Sequence, residues 1–398
     1  VSNITKQKDK LNVLVVGAGM YVSGRNTPGY GTILPALNDL HIKGIINQIF
    51  VASTSHQSII LLKEKLNKLR KITNSDLRIK GLPEYGENPS CYLEAIELYN
   101  LDCAIVAVPD QFHYEIVSNL IQSKIHVLVV KPLTPTLSKS KELIKLTKTM
   151  NVYGLVEFHK RLDHANLKIK DSIDSGLIGD LLYVHVEYSQ RRSIPSEIFS
   201  KWVEGTNIFQ YLGVHYVDII YFVTGYLPKR LVATGQKKLL INLGIDTYDS
   251  IQVLIEWENN EGNTFASTFL TNWIDPNTTS AMSDQSIKII GSNGRIESDQ
   301  KNRGVQIVTE DQGIEDVNPY FNQDYSVPGQ RKKVFKGYGI SSIKQFCFDV
   351  LNLKQNNNSI SDFDHSRPTF SESIYSTSVI ESVSKSLDNN SKWIIIKI

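Results

Sequence analysis

Nine residues near the start, LNVLVVGAG (Leu11–Gly19), constrain the fold of this chain more than any others. An unbroken apolar run of this kind reads as a strand buried on both faces of a parallel sheet. It leads straight into Gly17-Ala18-Gly19, at the point where such a sheet turns into a helix and offers backbone N–H groups to an incoming pyrophosphate. A Cβ there would block the close approach. The full Gly-x-Gly-x-x-Gly spacing fails, because Val22 takes the third place. Glycine recurs only at Gly24, Gly29 and Gly31, and the following helix is expected to begin near Thr32, so Met20–Gly31 reads as an inserted loop. Taken alone, the turn fits a plain strand-end glycine pair as well as it fits a nucleotide site.

Further strands are expected at IINQIFVAS (Ile45–Ser53), DCAIVAVP (Asp102–Pro109) and HVLVVKP (His126–Pro132), with amphipathic helical patterns between them. Strand and helix alternating in this way give a doubly wound parallel sheet over residues 1–150. From Asn151 the pattern changes. NVYGLVEF is one more strand and ANLKIKDSIDSGL a helix closed by Gly176; the longer runs LLYVHVEYSQ, KRLVATGQKK, DSIQVLIEWE, NTFASTFLTNW, QSIKIIGSNG and GRIESD then alternate apolar and polar. Period two with Gly/Asn turns argues for an antiparallel sheet with one wet face. The expected fold is therefore α/β: an N-terminal Rossmann-type domain, then an α+β domain over 151–398 with a large, mostly antiparallel open sheet. One nearly all-apolar helix is expected at about residues 207–223, and the C-terminal helices SSIKQFCFDVLNL and SESIYSTSVIESVSKSL can pack back on the first domain. WIIIKI closes the chain as a short strand.

Composition removes several function classes. The chain has 398 residues, 43 Lys plus Arg and 41 Asp plus Glu, a net charge of +2 that gives no field for gathering nucleic-acid phosphates. With 41% apolar and 21% charged residues, neither disorder nor a membrane bundle is expected. No apolar run approaches the ~18 residues of a membrane span. The N-terminal VSNITKQKDK is read as lacking the apolar core of a secretory signal. Cys91, Cys103 and Cys347 are far apart and lack metal-ligand spacing, which points to a reducing, cytoplasmic setting. Asn-x-Ser/Thr triplets at Asn3, Asn277 and Asn389 are expected by chance in an Asn-rich chain.

Further segments carry chemistry. VAVPDQFHYEIV (Val106–Val117) holds a proline and a histidine after a strand, and HVLVVKPLTPTL (His126–Leu137) puts Lys131-Pro132 at the end of the next. GLVEFHKRLD supplies Arg161, SGLIGDLLYV joins helix to sheet, GVHYVDIIYFVTG (Gly213–Gly225) carries His215 and Asp218, and GSNGRIESD forms a turn. In this order the set resembles the glucose–fructose oxidoreductase / inositol dehydrogenase (Gfo/Idh/MocA-type) family, nicotinamide-dependent enzymes acting mostly on sugars, sugar nucleotides and cyclitols. The resemblance implies a cofactor crevice lined by Gly17, Gly19, Met20, Tyr21, Ser53, Thr54, Pro109, Asp110, His113, Lys131 and His159. It also implies that Lys131 touches both nicotinamide ribose and substrate, and that the chain forms a homodimer or homotetramer, with no nucleic-acid or membrane partner. Two positions depart from the family pattern: Val130 stands where the family has the acid of Glu-Lys-Pro, and Tyr211 stands where it has an aspartate four residues before the histidine.

Hydride transfer to or from a carbinol carbon needs a group that exchanges the hydroxyl proton. Tyr211, His215 and Asp218 fall at i, i+4 and i+7, one face of a single helix. His215 is the natural acid–base group near neutral pH, Asp218 is expected to orient its ring, and Tyr211 is expected to donate to a developing alkoxide with Lys131 lowering its pKa. Arg161 either holds substrate hydroxyls or a phosphate, or makes a surface ion pair. Trp202 is expected against the substrate; Tyr248, Trp273 and Tyr338 are stacking or core residues. After the second strand come Ser53, Thr54, Ser55 and His56; with no acid to repel a 2′-phosphate, either NAD or NADP is admitted and NADP is favoured. Asp163-His164 is half a metal site with no third ligand at sensible spacing, so no metal is expected. The competing reading is a catalytically silent NAD(P)/sugar-binding regulator of the same fold, favoured by Val130 and Tyr211 and opposed by Lys131 and His215.

Overall fold

The computed structural model describes residues 10–398; the segment VSNITKQKD and the Asn3 triplet lie outside the described residues. Six parallel strands form the first sheet: β1 (Leu11–Val16), β2 (Ile46–Ala52), β3 (Ile79–Leu82), β4 (Cys103–Val106), β5 (His126–Val130) and β6 (Gly154–Glu157), in the order β3-β2-β1-β4-β5-β6. The strand order reverses between β1 and β4, and in open α/β sheets ligands bind outside the carboxyl ends at that point. The expected boundary at residue 150 falls too early, because β6 pairs with β5 inside this sheet.

Helices α1 (Met20–Ser23), α2 (Ile33–Ile42), α3 (His56–Thr73), α4 (Cys91–Leu98), α5 (His113–Gln122) and α6 (Leu137–Met150) connect these strands. Gly17 turns the end of β1 with φ +113°, and a Cβ on it would lie 2.2 Å from the Ala107 carbonyl oxygen. Only glycine fits there.

After α7 (His164–Asp174) come β7 (Leu181–Arg191), α8 (Val214–Thr224), β8 (Leu227–Gln236), α9 (Leu239–Asn242), β9 (Ser250–Glu258), β10 (Thr264–Asp275), β11 (Ser283–Gly291) and β12 (Gly294–Asp299). With a short terminal strand they make a seven-stranded sheet, antiparallel throughout except where β10 runs parallel to β7. Strict alternation puts Ile251, Val253, Ile255 and Trp257 of β9 inside and their neighbours out. Two hairpins follow that the periodicity did not suggest, β13 (Val305–Thr309) with β14 (Gly313–Val317) and β15 (Gln323–Ser326) with β16 (Lys333–Lys336). Next come α10 (Tyr338–Lys354) and α11 (Ile374–Asp388), and β17 (Ile394–Ile395) is all that forms of the expected terminal strand.

The C-terminal helices return to the first domain. Ile343, Phe346 and Val350 of α10 share a core with Leu11, Val13 and Ile105 of the parallel sheet, while Ser140 of α6 donates to Thr377 of α11. No helix among the described residues is long and apolar enough to cross a membrane.

Candidate active site

Lys131 follows β5 directly, so its side chain rises from the carboxyl end of the parallel sheet. It is half-buried, its Nζ donates to the Tyr211 carbonyl oxygen, and the same nitrogen sits 3.9 Å from the centroid of the Tyr211 ring. Burial lowers its pKa from 10.5 to about 8, against the opposing pull of Asp110 and Glu157. A lysine near that value can give and regain a proton.

Two residues expected in the cofactor crevice hold the strand ends around this lysine. His113 is fully buried, its Nδ1 lying 2.9 Å from the Pro132 carbonyl oxygen and its Nε2 2.9 Å from that of Val108. Both ring nitrogens are thus spent on pinning the ends of β4 and β5 together. Asp110, also buried, accepts from Gln210 Nε2 at 2.8 Å and from the Thr206 hydroxyl, and so ties the end of β4 to the segment before α8. Pro109 precedes it in the turn that leads into α5.

The helix carrying Tyr211 and His215 is not uniform. A π turn over Phe209–Gly213 precedes α8, and the extra residue per turn breaks the expected single face. Tyr211 therefore packs edge-on against Phe199 and Trp202, with ring centroids 4.9 Å and 6.3 Å away, and tilts against Trp273. Burial raises its phenol pKa, with no lowering by Lys131. Asp218 does not orient His215. Its carboxylate takes two bonds from the buried Arg161, Nε to Oδ2 at 2.9 Å and Nη2 to Oδ1 at 2.6 Å. Arg161 is thereby withdrawn from substrate as well as from the surface.

His215 is left without that acid. It is 5% exposed, its Nδ1 is buried with no hydrogen-bond partner, and burial together with Lys131, His159 and Lys160 holds its pKa well below 6.5. It is a neutral imidazole at physiological pH, ready to accept. His159 stands beside it with ring centroids 4.9 Å apart, and Tyr188 and Phe158 flank it at 6.4 Å.

Glu157 is a site residue that no sequence motif marks. It ends β6, is 2% exposed, and its Oε2 lies 2.8 Å from His159 Nδ1, with Oε1 buried and unpartnered. A carboxylate inside the apolar run VYGLVEF was the available signal, since such a group is costly to bury without a purpose. Tyr21, expected on the cofactor, turns inward: its hydroxyl is 3.4 Å from His159 Nδ1, and burial and Glu157 raise its pKa. Phe321 and Tyr338 complete an aromatic wall around His159. Lys160 is buried as well. Its Nζ donates to Gln285 and Gln300, and burial lowers its pKa to about 7.

Trp273 is wholly buried with its indole N–H on the Tyr248 carbonyl, a core residue, whereas Trp202 is half-buried beside Tyr211. Asp163 caps α7 and is held by Arg303 through two 2.9 Å bonds.

At the other end of the crevice the residues fit a dinucleotide. A Cβ on Gly19 would meet nothing within 4 Å, so this glycine faces open space in front of the turn. Met20 starts α1 there, half-buried. Thr54 is exposed and Ser53 half-buried after β2; Ser55 caps α3 by accepting from Ser58 N–H at 3.3 Å. Arg25, from the inserted loop, reaches the same corner, donating to Ser58 Oγ at 3.0 Å. Open glycine backbone, a capped helix start and a guanidinium make a suitable seat for phosphates.

Known proteins share this architecture. The chain is 25% identical to myo-inositol 2-dehydrogenase of Thermotoga maritima over 222 residues, 55% of this chain and 63% of that protein. It is 30% identical to an uncharacterised oxidoreductase of Schizosaccharomyces pombe over 125 residues, 30% of this chain and 32% of that protein. These matches span between about a third and somewhat under two thirds of the relatives' own lengths. A scyllo-inositol dehydrogenase from Lactobacillus casei, solved with NAD(H) and scyllo-inositol bound, superposes with a TM-score of 0.68 at 15% identity over 97% of this chain and 99% of that one, which is a likeness of fold. The profile of the oxidoreductase family with an NAD-binding Rossmann fold matches residues 11–158, and that of the GFO/IDH/MocA C-terminal domain matches residues 166–297. The chain belongs to the GFO/IDH/MocA oxidoreductase family.

Proposed function

We propose that the chain is an NAD(P)-dependent oxidoreductase that interconverts a secondary hydroxyl and a ketone on a sugar, sugar nucleotide or cyclitol. The observation that carries this reading is geometric: Lys131, at the carboxyl end of β5, donates to the carbonyl of Tyr211, four residues before His215, whose buried Nδ1 has no partner. When bound, the nicotinamide ring supplies the hydride acceptor or donor. The chain's own residues do the rest. His215 takes the hydroxyl proton during oxidation, and the Lys131 ammonium donates to the oxygen as negative charge builds on it. Tyr211, Trp202 and Tyr188 offer apolar faces to the C–H side of a polyol.

NADP is the favoured cofactor, because Arg25 joins Ser53, Thr54 and Ser55 where a 2′-phosphate would sit. Assembly as a homodimer or homotetramer is supported by Leu182, Tyr183 and Leu270, which stand exposed on β7 and β10 of the large sheet. The test uses the purified full chain, each nicotinamide cofactor, and a panel of cyclitols, free sugars and sugar nucleotides, read at the nicotinamide absorbance band. Turnover with one of these classes, at lower KM for NADP than for NAD, is expected. Tight cofactor binding with no turnover on any of them would show instead a binding protein that senses the same ligands.

A further inference from the structure

His215 lacks the group that an acid–base imidazole normally leans on. Asp218 is committed to Arg161, Tyr211 occupies the aspartate's place, and Nδ1 of His215 is buried without a partner. An unsatisfied polar atom in such a place asks for an explanation. On the facing strand end, Glu157 and His159 make an acid–imidazole pair that the reaction as described does not use.

We propose that Glu157 and His159 are positioning residues that replace the missing helix acid, forming a relay Glu157–His159–His215 through which the substrate proton leaves the site. The inference rests on the oxidoreductase reading.

The polarity of the chain is consistent along its length. The Glu157 carboxylate can only accept, so His159 Nδ1 carries the proton and donates to it at 2.8 Å. That tautomer leaves His159 Nε2 as a bare acceptor on the side of the ring away from Glu157. His215 Nδ1–H is the donor such an acceptor needs, and the two rings stand side by side with centroids 4.9 Å apart; the relay requires them to turn toward each other when substrate binds. Catalytic hydrogen bonds are often long before substrate binds. With Nδ1 of His215 protonated, its Nε2 is the acceptor for the substrate hydroxyl.

Surrounding charges favour onward transfer. His215 faces Lys131 after β5 and Lys160 after β6, both of which disfavour a proton resting on its ring, with Tyr188 of β7 beside it. His159, in the turn after β6, faces Glu157 at the end of that strand, Tyr21 of α1, Phe321, Tyr338 of α10 and His215. In oxidation the carbinol C–H bond breaks and its hydrogen leaves with both electrons to C4 of the oxidised nicotinamide. The O–H proton passes to His215 Nε2 while the Nδ1 proton passes to His159 Nε2. His215 ends neutral with its tautomer reversed, and His159 ends as an imidazolium paired with the Glu157 carboxylate, 9% exposed and able to release the proton to water.

Glu157→Gln and His159→Gln test the relay in the full-length protein. In Glu157→Gln the acid limb of kcat/KM for oxidation is expected to move down by about one pH unit or more, as befits loss of a contacting carboxylate, with kcat lower by ~10-fold or more and cofactor Kd within about twofold. In His159→Gln that limb moves down to the lower pH at which His215 alone takes up a proton. A readout independent of turnover is the pH titration of the His215 ring signals by NMR in cofactor-free protein. In the wild type those signals should follow a step that belongs to the pair; the step should move in Glu157→Gln and vanish in His159→Gln. His215 signals indifferent to His159 in the wild type and variants would overturn the relay, even with a working oxidoreductase and even if one variant fails to fold. A coupled titration in a chain that turns over no polyol would instead uphold the pair and overturn the reading of the reaction.

Discussion

Tyr211 and Asp218 show how differently two residues on one sequence stripe can be used. The Tyr211 backbone carbonyl and ring face hold Lys131, while its hydroxyl stands in an environment that raises its pKa. Tyr211→Phe keeps both contacts, so its turnover should stay within about twofold of wild type, a small change against the ~10² or more expected for losing an acid–base group; a drop beyond tenfold would restore the phenol to the proton path. Asp218→Ala leaves Arg161 charged and unpaired in the core, which should cost about 3–5 kcal/mol in denaturant unfolding and leave the acid limb of the pH profile in place. Lys131 and His215 were legible as candidates because each stands at a strand end or on a helix otherwise made of apolar residues. The Arg161–Asp218 pair was not, since a sequence shows charges without showing who faces whom. Glu157 is visible as an acid in an apolar strand, but nothing in the sequence shows that the histidine two residues on turns back to face it.

Among elements, the parallel strands and long helices were the most legible, because continuous apolar runs and 3.6-residue periodicity have few other readings. The π turn at Phe209–Gly213 was not legible: it leaves composition and hydropathy unchanged and alters only which residues share a face. The hairpins β13–β14 and β15–β16 escaped for a related reason. They are mostly exposed, so burial imposes no alternation on them. The second hairpin region nevertheless touches the end of the inserted loop that follows the glycine turn, where Asn322 donates to the Gly31 carbonyl oxygen at 2.7 Å and Phe335 packs edge-on against Tyr30. The turn itself depends on its first glycine. Gly17→Ala would drive a Cβ into the Ala107 carbonyl at a φ few L-residues adopt. It should cost about 1–3 kcal/mol of stability and weaken cofactor binding by ~10-fold or more, about 1.4 kcal/mol in the binding equilibrium. Cofactor fluorescence titration measures the binding, and unchanged affinity would mean that the turn does not seat the phosphates.

For the whole molecule, buried cations inside a nearly neutral chain set the response to pH. Lys131 at about 8 and Lys160 at about 7 bind protons less well folded than their ordinary 10.5 unfolded. Between about pH 7 and 10.5 the unfolded chain therefore holds more protons, and stability rises with pH through that window. His215, held well below 6.5, acts in the same sense at lower pH, so that stability falls as pH drops below about 6.5. The thermal midpoint should climb from pH 6 to pH 9, and Lys131→Met should flatten the part of the climb above pH 8; a midpoint that falls over this range would contradict the lowered pKa values of these two lysines. The succession of a parallel sheet and a large mixed sheet was legible at this scale, as was the return of the C-terminal helices. The domain boundary was not, because β6 reads alike whichever sheet it joins.

In the proposed reaction Lys131 and His215 serve a direct hydride transfer, and isotope tracing follows that hydride. A polyol carrying deuterium on its carbinol carbon is incubated with the oxidised cofactor and the full chain, and the reduced cofactor is weighed by mass spectrometry. One deuterium on the nicotinamide ring is expected with the wild type, and a rate lower by ~10² or more for Lys131→Met and His215→Asn with cofactor binding retained. Reduced cofactor without deuterium, or equal rates in both variants, would contradict that reaction.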